Sequence, residues 1–323
     1  MAEWKPENDG LSGGTLPQGG KPDLKSALRL YLFVFAALLL LGSYLQTLHF
    51  EYGMIATQIL IILLPAILYW RRFSVDQVAF ARLRPLPLKF VPAIIILAAS
   101  MWLVNVFFAA SLVGGLMELG FQPLVMIEPP TTWQQYLGYV VVLSIFAGIC
   151  EEVLFRGTIM PALEQHGLIP AIIFSSLLFA LLHGSLLSLL STFSLGVVMA
   201  VIVIKTGSLW GGILFHMLNN FYAATYLFWA GSLDVTPTRF ELQIYAALIP
   251  FLVVGLAGVM IGLRMLNKNS NQEPLLKNRD AWLPPGWLSW PLYISLLLFL
   301  LIAAMELAIG FGWFDPSSIL GYN

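Results

Sequence analysis

Long apolar runs follow one another along this chain, and they leave few folds open to it. They cover roughly residues 27–48, 53–70, 90–117, 135–163, 169–183, 185–204, 208–230, 242–263 and 290–309. A continuous apolar stretch of about 20 residues is what a helix needs to cross a hydrocarbon core about 30 Å thick, whereas the strands of a membrane barrel alternate over about ten residues. These runs do not alternate. The fold class is therefore all-α, a polytopic membrane bundle of eight or nine transmembrane helices. The count turns on the fifth run, which is short, and on Gly184-Ser185 after it, which fits either a break in one helix or a tight turn between two.

Composition agrees. Charged residues make up 10% of the 323 and hydrophobic ones 59%, with mean hydropathy +0.84; a soluble domain carries about 25% charge. A net charge of −1 speaks against a nucleic-acid partner, and the single cysteine, Cys150, excludes an internal disulfide. Residues 1–23 are polar and rich in Gly and Pro, which fits a disordered tail and no signal peptide. The expected organisation is a tail at 1–23, N-terminal transmembrane helices over 24–130, a chemically active set over 131–231, C-terminal transmembrane helices over 232–310 and a short tail at 311–323.

Basic residues test the topology, because cytoplasmic loops hold the Lys and Arg excess. With the N-terminus in the cytoplasm and nine crossings, Lys5, Lys21, Lys25, Arg29, Arg71, Arg72, Arg82, Arg84, Lys89, Arg156, Lys205, Arg264, Lys268, Lys277 and Arg279 fall on one side, and only Arg239 falls outside. Tryptophans 133, 210, 282, 287 and 290 stand near run ends, where an amphipathic ring is expected. The chain is read as an integral multi-pass protein, in the plasma or inner membrane if the cell is bacterial.

Against this background Glu151, Glu152 and Arg156 are costly: a charge at the centre of a membrane helix costs about 2.5–3.5 kcal/mol on insertion scales. Helix positions four apart share a face, and Glu before Lys or Arg is the favoured order, so Arg156 neutralises Glu152. Glu151 is turned about 100° away and has Phe155 at its i+4 position. Either the trio is a salt bridge at a helix end with a second carboxylate reaching the headgroups, or Glu151 faces a polar cavity as an acid/base. Two histidines lie inside apolar runs, His183 and His216, and Asn220 shares a face with His216. A lone histidine there can be a packing residue. Two of them, an asparagine and a carboxylate in otherwise apolar helices must find one another or water. Glu306 near the end of the last run is read as snorkelling.

A carboxylate, two imidazoles and a carboxamide suit amide hydrolysis, which needs a base for water, a donor for the oxyanion and an acid for the leaving amine. Glu151 can be the base, His183 can share the water, and His216 with Asn220 can donate to the oxyanion. Other schemes fit less well. No His-Glu-x-x-His occurs; Gly10-Leu11-Ser12-Gly13-Gly14 is a serine-elbow match stranded in the polar tail; no aspartate lies in a run. Cys150 is turned about 100° from Glu151 and reads as a small buried residue. Zinc held by Glu151, His183 and His216 stays open on ligand chemistry, since carboxylate and imidazole both suit it.

Taken together, Glu-Glu-x-x-x-Arg at 151–156, Phe-x-x-x-His at 179–183 and His-x-x-x-Asn at 216–220 resemble the CPBP group of intramembrane proteases, also called Abi, which includes the type II CAAX prenyl endopeptidases and bacteriocin-processing and immunity proteins. The resemblance covers roughly residues 135–230. It implies a glutamate-dependent endopeptidase with a helical bundle around a cavity open to the cytoplasm. In that pattern Glu151 and His183 activate water, His216 and Asn220 form the oxyanion site, and Glu152, Arg156 and Phe179 support them. Members are often labelled metalloproteases, while a metal-free mechanism is favoured for the CAAX enzymes. The implied partners are the bilayer and a membrane-embedded or lipidated peptide or protein substrate. Two other functions remain: a non-proteolytic immunity or binding protein of the same fold, and a proton-coupled transporter using the same Glu and His as a relay. One tension also remains, since Glu151 lies toward the cytoplasmic half of its helix while His183 is about 14 residues, or roughly 21 Å, into the next.

Overall fold

The computed structural model describes residues 22–123, 128–232, 242–271 and 286–315. The tail up to residue 21 with its Gly10–Gly14 match, Arg239, Lys277, Arg279, Trp282 and the end from residue 316 lie outside the described residues. Within them the chain is all-α, with no strand, and nine helical rods stand where the apolar runs predict them. They are α1 Leu24–Leu48, α2 Phe50–Arg72, α3 Leu88–Glu118, α4 Trp133–His166, α5 Leu168–Leu182 and α6 Leu189–Thr206, then α7 Leu209–Ser232, α8 Leu242–Asn269 and α9 Trp290–Gly310. Seven of these, all but α5 and α7, are long and apolar enough to cross a membrane by length and composition, which makes the chain a multi-pass integral membrane protein. The expected eight or nine crossings depend on the other two. Helix α5 is shorter, and α7 is diluted by His216, Asn219 and Asn220.

Local chemistry sets the helix ends. Asp23 caps α1 by accepting from Ser26 N at 2.8 Å, while Ser26 Oγ accepts from Asp23 N at 3.1 Å; this reciprocal capping box satisfies two otherwise orphaned donors. Thr132 and Gln135 do the same for α4. Helix α1 stops at His49, whose φ of −163° and ψ of 122° leave the helical region. Helix α6 begins at Leu189 rather than near 185, because Gly184 at φ 63° turns the chain. Glu306 of α9 holds that turn, accepting from Ser185 Oγ at 2.6 Å and Leu186 N at 2.7 Å. It therefore ties a turn down and does not snorkel.

Contacts sort the connections into two ends. At one end Ser26 bonds Tyr69, Arg82 pairs with Glu164, the Arg82 and Arg84 carbonyls accept from Leu209 N and Ser208 Oγ, and the Lys89 and Lys205 carbonyls accept from Asn269 and Ser270. The basic connections thus gather at one end of the bundle. At the other, Tyr136 bonds Thr225 and Gln122 N donates to Gly310 O.

Helices α4–α6 form the buried centre, with Arg156, Phe155, Phe179 and Leu154 fully enclosed. Helix α8 packs on α3 through Gly255, Gly258 and Gly262, which face Val104, Ser100 and Leu97. A Cβ on Gly258 would fall 2.1 Å from Ser100 Oγ, so the two backbones approach as only small residues permit. The remaining faces of α8 and α9 expose Val253, Val254, Leu297, Leu300 and Leu301, an apolar surface of the kind lipid covers.

The α4–α5 hairpin settles the depth of the motif residues. Its turn is Gly167, at φ 114° and ψ 156°, a conformation that disfavours any residue with a Cβ. Glu151 lies 16 residues before this glycine and His183 16 residues after it, roughly 24 Å along each arm at the helical rise. Antiparallel arms of equal length bring the two to the same level. The turn at Gly167, and not the bilayer surface, is the reference for the depth of His183.

Candidate active site

A cavity of about 710 Å³ opens among α2 to α7. Its walls include Trp102, Val106, Leu143, Leu195, Met199 and Leu227, and its polar lining includes Glu151, His183, His216 and Asn220. The structure thus brings all four residues singled out for chemistry to one cavity. Glu152 and Arg156 stand behind the wall, each with no solvent exposure.

The two glutamates have separate partners, as the helical spacing predicts. Arg156 Nη1 donates to Glu152 Oε1 at 2.8 Å, and Nη2 donates to the Gly196 carbonyl of α6 at 3.0 Å. The guanidinium also lies 4.5 Å from the Phe179 ring centre, a cation–π contact strengthened by desolvation. Gly212 makes room for the pair, since a Cβ there would lie 2.7 Å from Glu152 Oε2. Glu151 Oε1 accepts from Gln58 Nε2 of α2 at 2.9 Å, and its Oε2 has no hydrogen-bond partner among the described residues.

Each histidine is held by one ring nitrogen. His183 Nδ1 lies 2.8 Å from the Phe179 carbonyl. A carbonyl only accepts, so Nδ1 carries the proton and Nε2 keeps a lone pair. His216 Nδ1 lies 3.3 Å from Glu152 Oε1, so the proton is again on Nδ1. Here the structure departs from expectation: Arg156 is not the sole partner of Glu152, which holds the His216 ring as well. Phe179 packs between the imidazoles, 4.7 Å from the His183 ring centre and 5.7 Å from that of His216.

Asn220 Nδ2 donates to the Leu143 carbonyl at 2.8 Å, which leaves the second amide hydrogen for other use. Its neighbour Asn219 also lines the cavity, and Asn219 Oδ1 is buried without a partner among the described residues. Position 219 is three residues from His216 and shares its face as position 220 does. Cys150 is buried and is not part of the lining, in keeping with a small packing residue. Among the described residues no three His, Cys, Asp or Glu side chains gather into a group able to hold a metal ion. Glu151 also spends one oxygen on Gln58. The set Glu151, His183 and His216 therefore does not fit zinc as these side chains stand.

Two of the cavity carboxamides come from α2 and α3, outside the three motifs. Gln58 is 3% exposed, and Asn105 of α3 accepts from Ser194 Oγ at 3.2 Å while its Nδ2 is buried without a partner among the described residues. The available signal was a lone carboxamide in an apolar run, the same signal that marked the histidines.

Fold and cavity together define a multi-pass helical membrane protein with a carboxylate, two imidazoles and several carboxamides enclosed in its bundle. Residues 133–222, from the start of α4 into α7, match the family model described as type II CAAX prenyl endopeptidase Rce1-like. That match bears out the resemblance carried by the three motifs. No curated protein and no solved structure matches the chain.

Proposed function

We propose that the protein is an intramembrane endopeptidase that hydrolyses a peptide bond of a membrane-associated protein or peptide. The observation that carries this reading is that Glu151 and His183 line one cavity, Glu151 with a buried Oε2 that has no hydrogen-bond partner among the described residues and His183 with its Nδ1 engaged by the Phe179 carbonyl. Glu151 Oε2 takes a proton from a water that His183 Nε2 orients by accepting its other hydrogen. The water oxygen adds to the scissile carbonyl carbon, and the carbonyl oxygen becomes an oxyanion. Asn220, through its second amide hydrogen, and His216 stabilise that charge. The proton on Glu151 then passes to the amine nitrogen as the C–N bond breaks, leaving a carboxylic acid and an amine.

The Glu152 contact bears on the role of His216. With Nδ1 turned to Glu152, the imidazole donates from Nε2 only when both nitrogens are protonated. Glu152 thus serves Arg156 and His216 together.

The proposed catalytic unit is residues 131–231, with the helices of 24–130 and 232–310 around it. The N-terminus is proposed to be cytoplasmic, because the basic connections share one end of the bundle. The test uses full-length protein in nanodiscs with two substrates, a farnesylated CAAX peptide and unmodified transmembrane peptides, with products read by mass spectrometry. The parent is expected to cleave and Glu151→Ala to fail. Cleavage by Glu151→Ala at the parental rate would overturn the assignment. A parent that leaves every peptide intact would favour the immunity-type or proton-coupled alternatives.

A further inference from the structure

Gln58 is on α2, outside the residues that match the family model, yet it makes the hydrogen bond to the Glu151 carboxylate. Its amide donates to Glu151 Oε1 at 2.9 Å. The carboxylate only accepts, so the orientation of the amide is fixed: Nε2 faces Glu151, and Oε1 faces elsewhere. That Oε1 is buried with no hydrogen-bond partner among the described residues, and Gln58 lines the cavity. A buried carbonyl left without a donor is unfavourable, and a water or a substrate N–H in the cavity can supply one. Gln58 lies in Thr57–Leu63, one of four π-helical segments among the described residues. The packing of α2 on α4 brings this segment against Glu151.

We propose that Gln58 is a positioning residue for Glu151: it pins one carboxylate oxygen, turns Oε2 toward the reacting water, and offers its own Oε1 as an acceptor to that water or to a substrate N–H. This rests on the hydrolase reading above. A carboxylate on a flexible side chain has two oxygens and several rotamers, and pinning one oxygen leaves a single atom in a defined place. Misplacement by about 1 Å can cost about a hundredfold in rate, which sets the size of the expected effect.

The test compares the full-length parent with Gln58→Met, which keeps length and volume but cannot donate, and with Gln58→Glu, which sets an acceptor where the donor was. On the farnesylated peptide, Gln58→Met is expected to lower kcat about 10- to 100-fold while KM stays within about twofold, and Gln58→Glu to lower kcat further. A second measurement needs no activity. Thermal unfolding of Gln58→Met, Glu151→Met and the double variant forms a cycle, and contacting residues show non-additive effects. The double variant is expected to lose less Tm than the two single variants together. Parental kcat in Gln58→Met, or additive Tm shifts, would overturn the inference. If the parent cleaves nothing, the hydrolase reading fails, and the Tm cycle alone decides whether Gln58 holds Glu151.

Discussion

The helices on the two sides of the central hairpins differ in what they do. Neither flank carries one of the three motifs. On the N-terminal side, α2 and α3 each contribute a carboxamide, Gln58 and Asn105, to the cavity. On the C-terminal side, α8 and α9 contribute no lining residue among those described. Helix α8 clamps α3 through its glycine stripe, α9 ties down the 184–188 turn through Glu306, and both otherwise show apolar faces outward. One flank lines the cavity, and the other braces what surrounds it. A boundary drawn from motifs alone would place both outside the working unit.

This comparison can be broken or sharpened by measurement. The largest expected effect is at the centre: Glu151→Ala should lower the cleavage rate by about 10³-fold or more, the scale of losing an acid/base group together with its water, while the protein still folds. Next is Glu152→Gln, which leaves the Arg156 charge buried without its ion-pair partner. Breaking a buried pair costs about 3–5 kcal/mol, so unfolding in a denaturant series should show a loss of that order, and the slackened His216 should lower kcat. Gly258→Ala, on the bracing side, forces a methyl against Ser100 and should destabilise by about 1–3 kcal/mol, with kcat per folded molecule unchanged. A fall in kcat there would erase the distinction between the flanks. Asn105→Leu, on the contributing side, should raise KM severalfold with stability nearly parental; an unchanged KM would move α3 to the bracing class. The smallest effect is Leu300→Ala on the exposed face of α9, expected within about 0.5 kcal/mol of parent with activity intact. Across the series a chelator should leave the rate unchanged, because the donor set does not gather around a metal.

Much of this could be read before any coordinates. The nine rods follow from apolar runs, since a helix that meets lipid must be apolar for a whole crossing. The split between Glu151 and Glu152 follows from the helical period, which is local. What could not be read is tertiary. Gln58 and Asn105 have no spacing partner within their own helices, so nothing along the chain connects them to Glu151 or Ser194. The His216–Glu152 contact joins α7 to α4, and the sequence offers only the local alternatives, Arg156 for the glutamate and Asn220 for the histidine. Glu306 looks from the sequence like a snorkelling side chain because its partners, Ser185 and the Leu186 amide, lie about 120 residues earlier.

The α4–α5 hairpin works as a ruler folded at Gly167. Its arms are equal in residue count, so the level at which Glu151 meets His183 is set by counting and needs no contact between them to enforce it. Adding one residue to either arm between these positions and the fold would slide one group past the other by roughly 1.5 Å and swing it about 100° around its helix. Single-residue insertions and deletions in 152–182 should therefore be far less tolerated than equal changes near residue 120 or 271, where no length is being compared. A matched pair, one residue added to each arm, would restore the level but not the facing. The hairpin accordingly encodes a distance and an angle in one number, and both must be kept for the cavity to hold its two groups together.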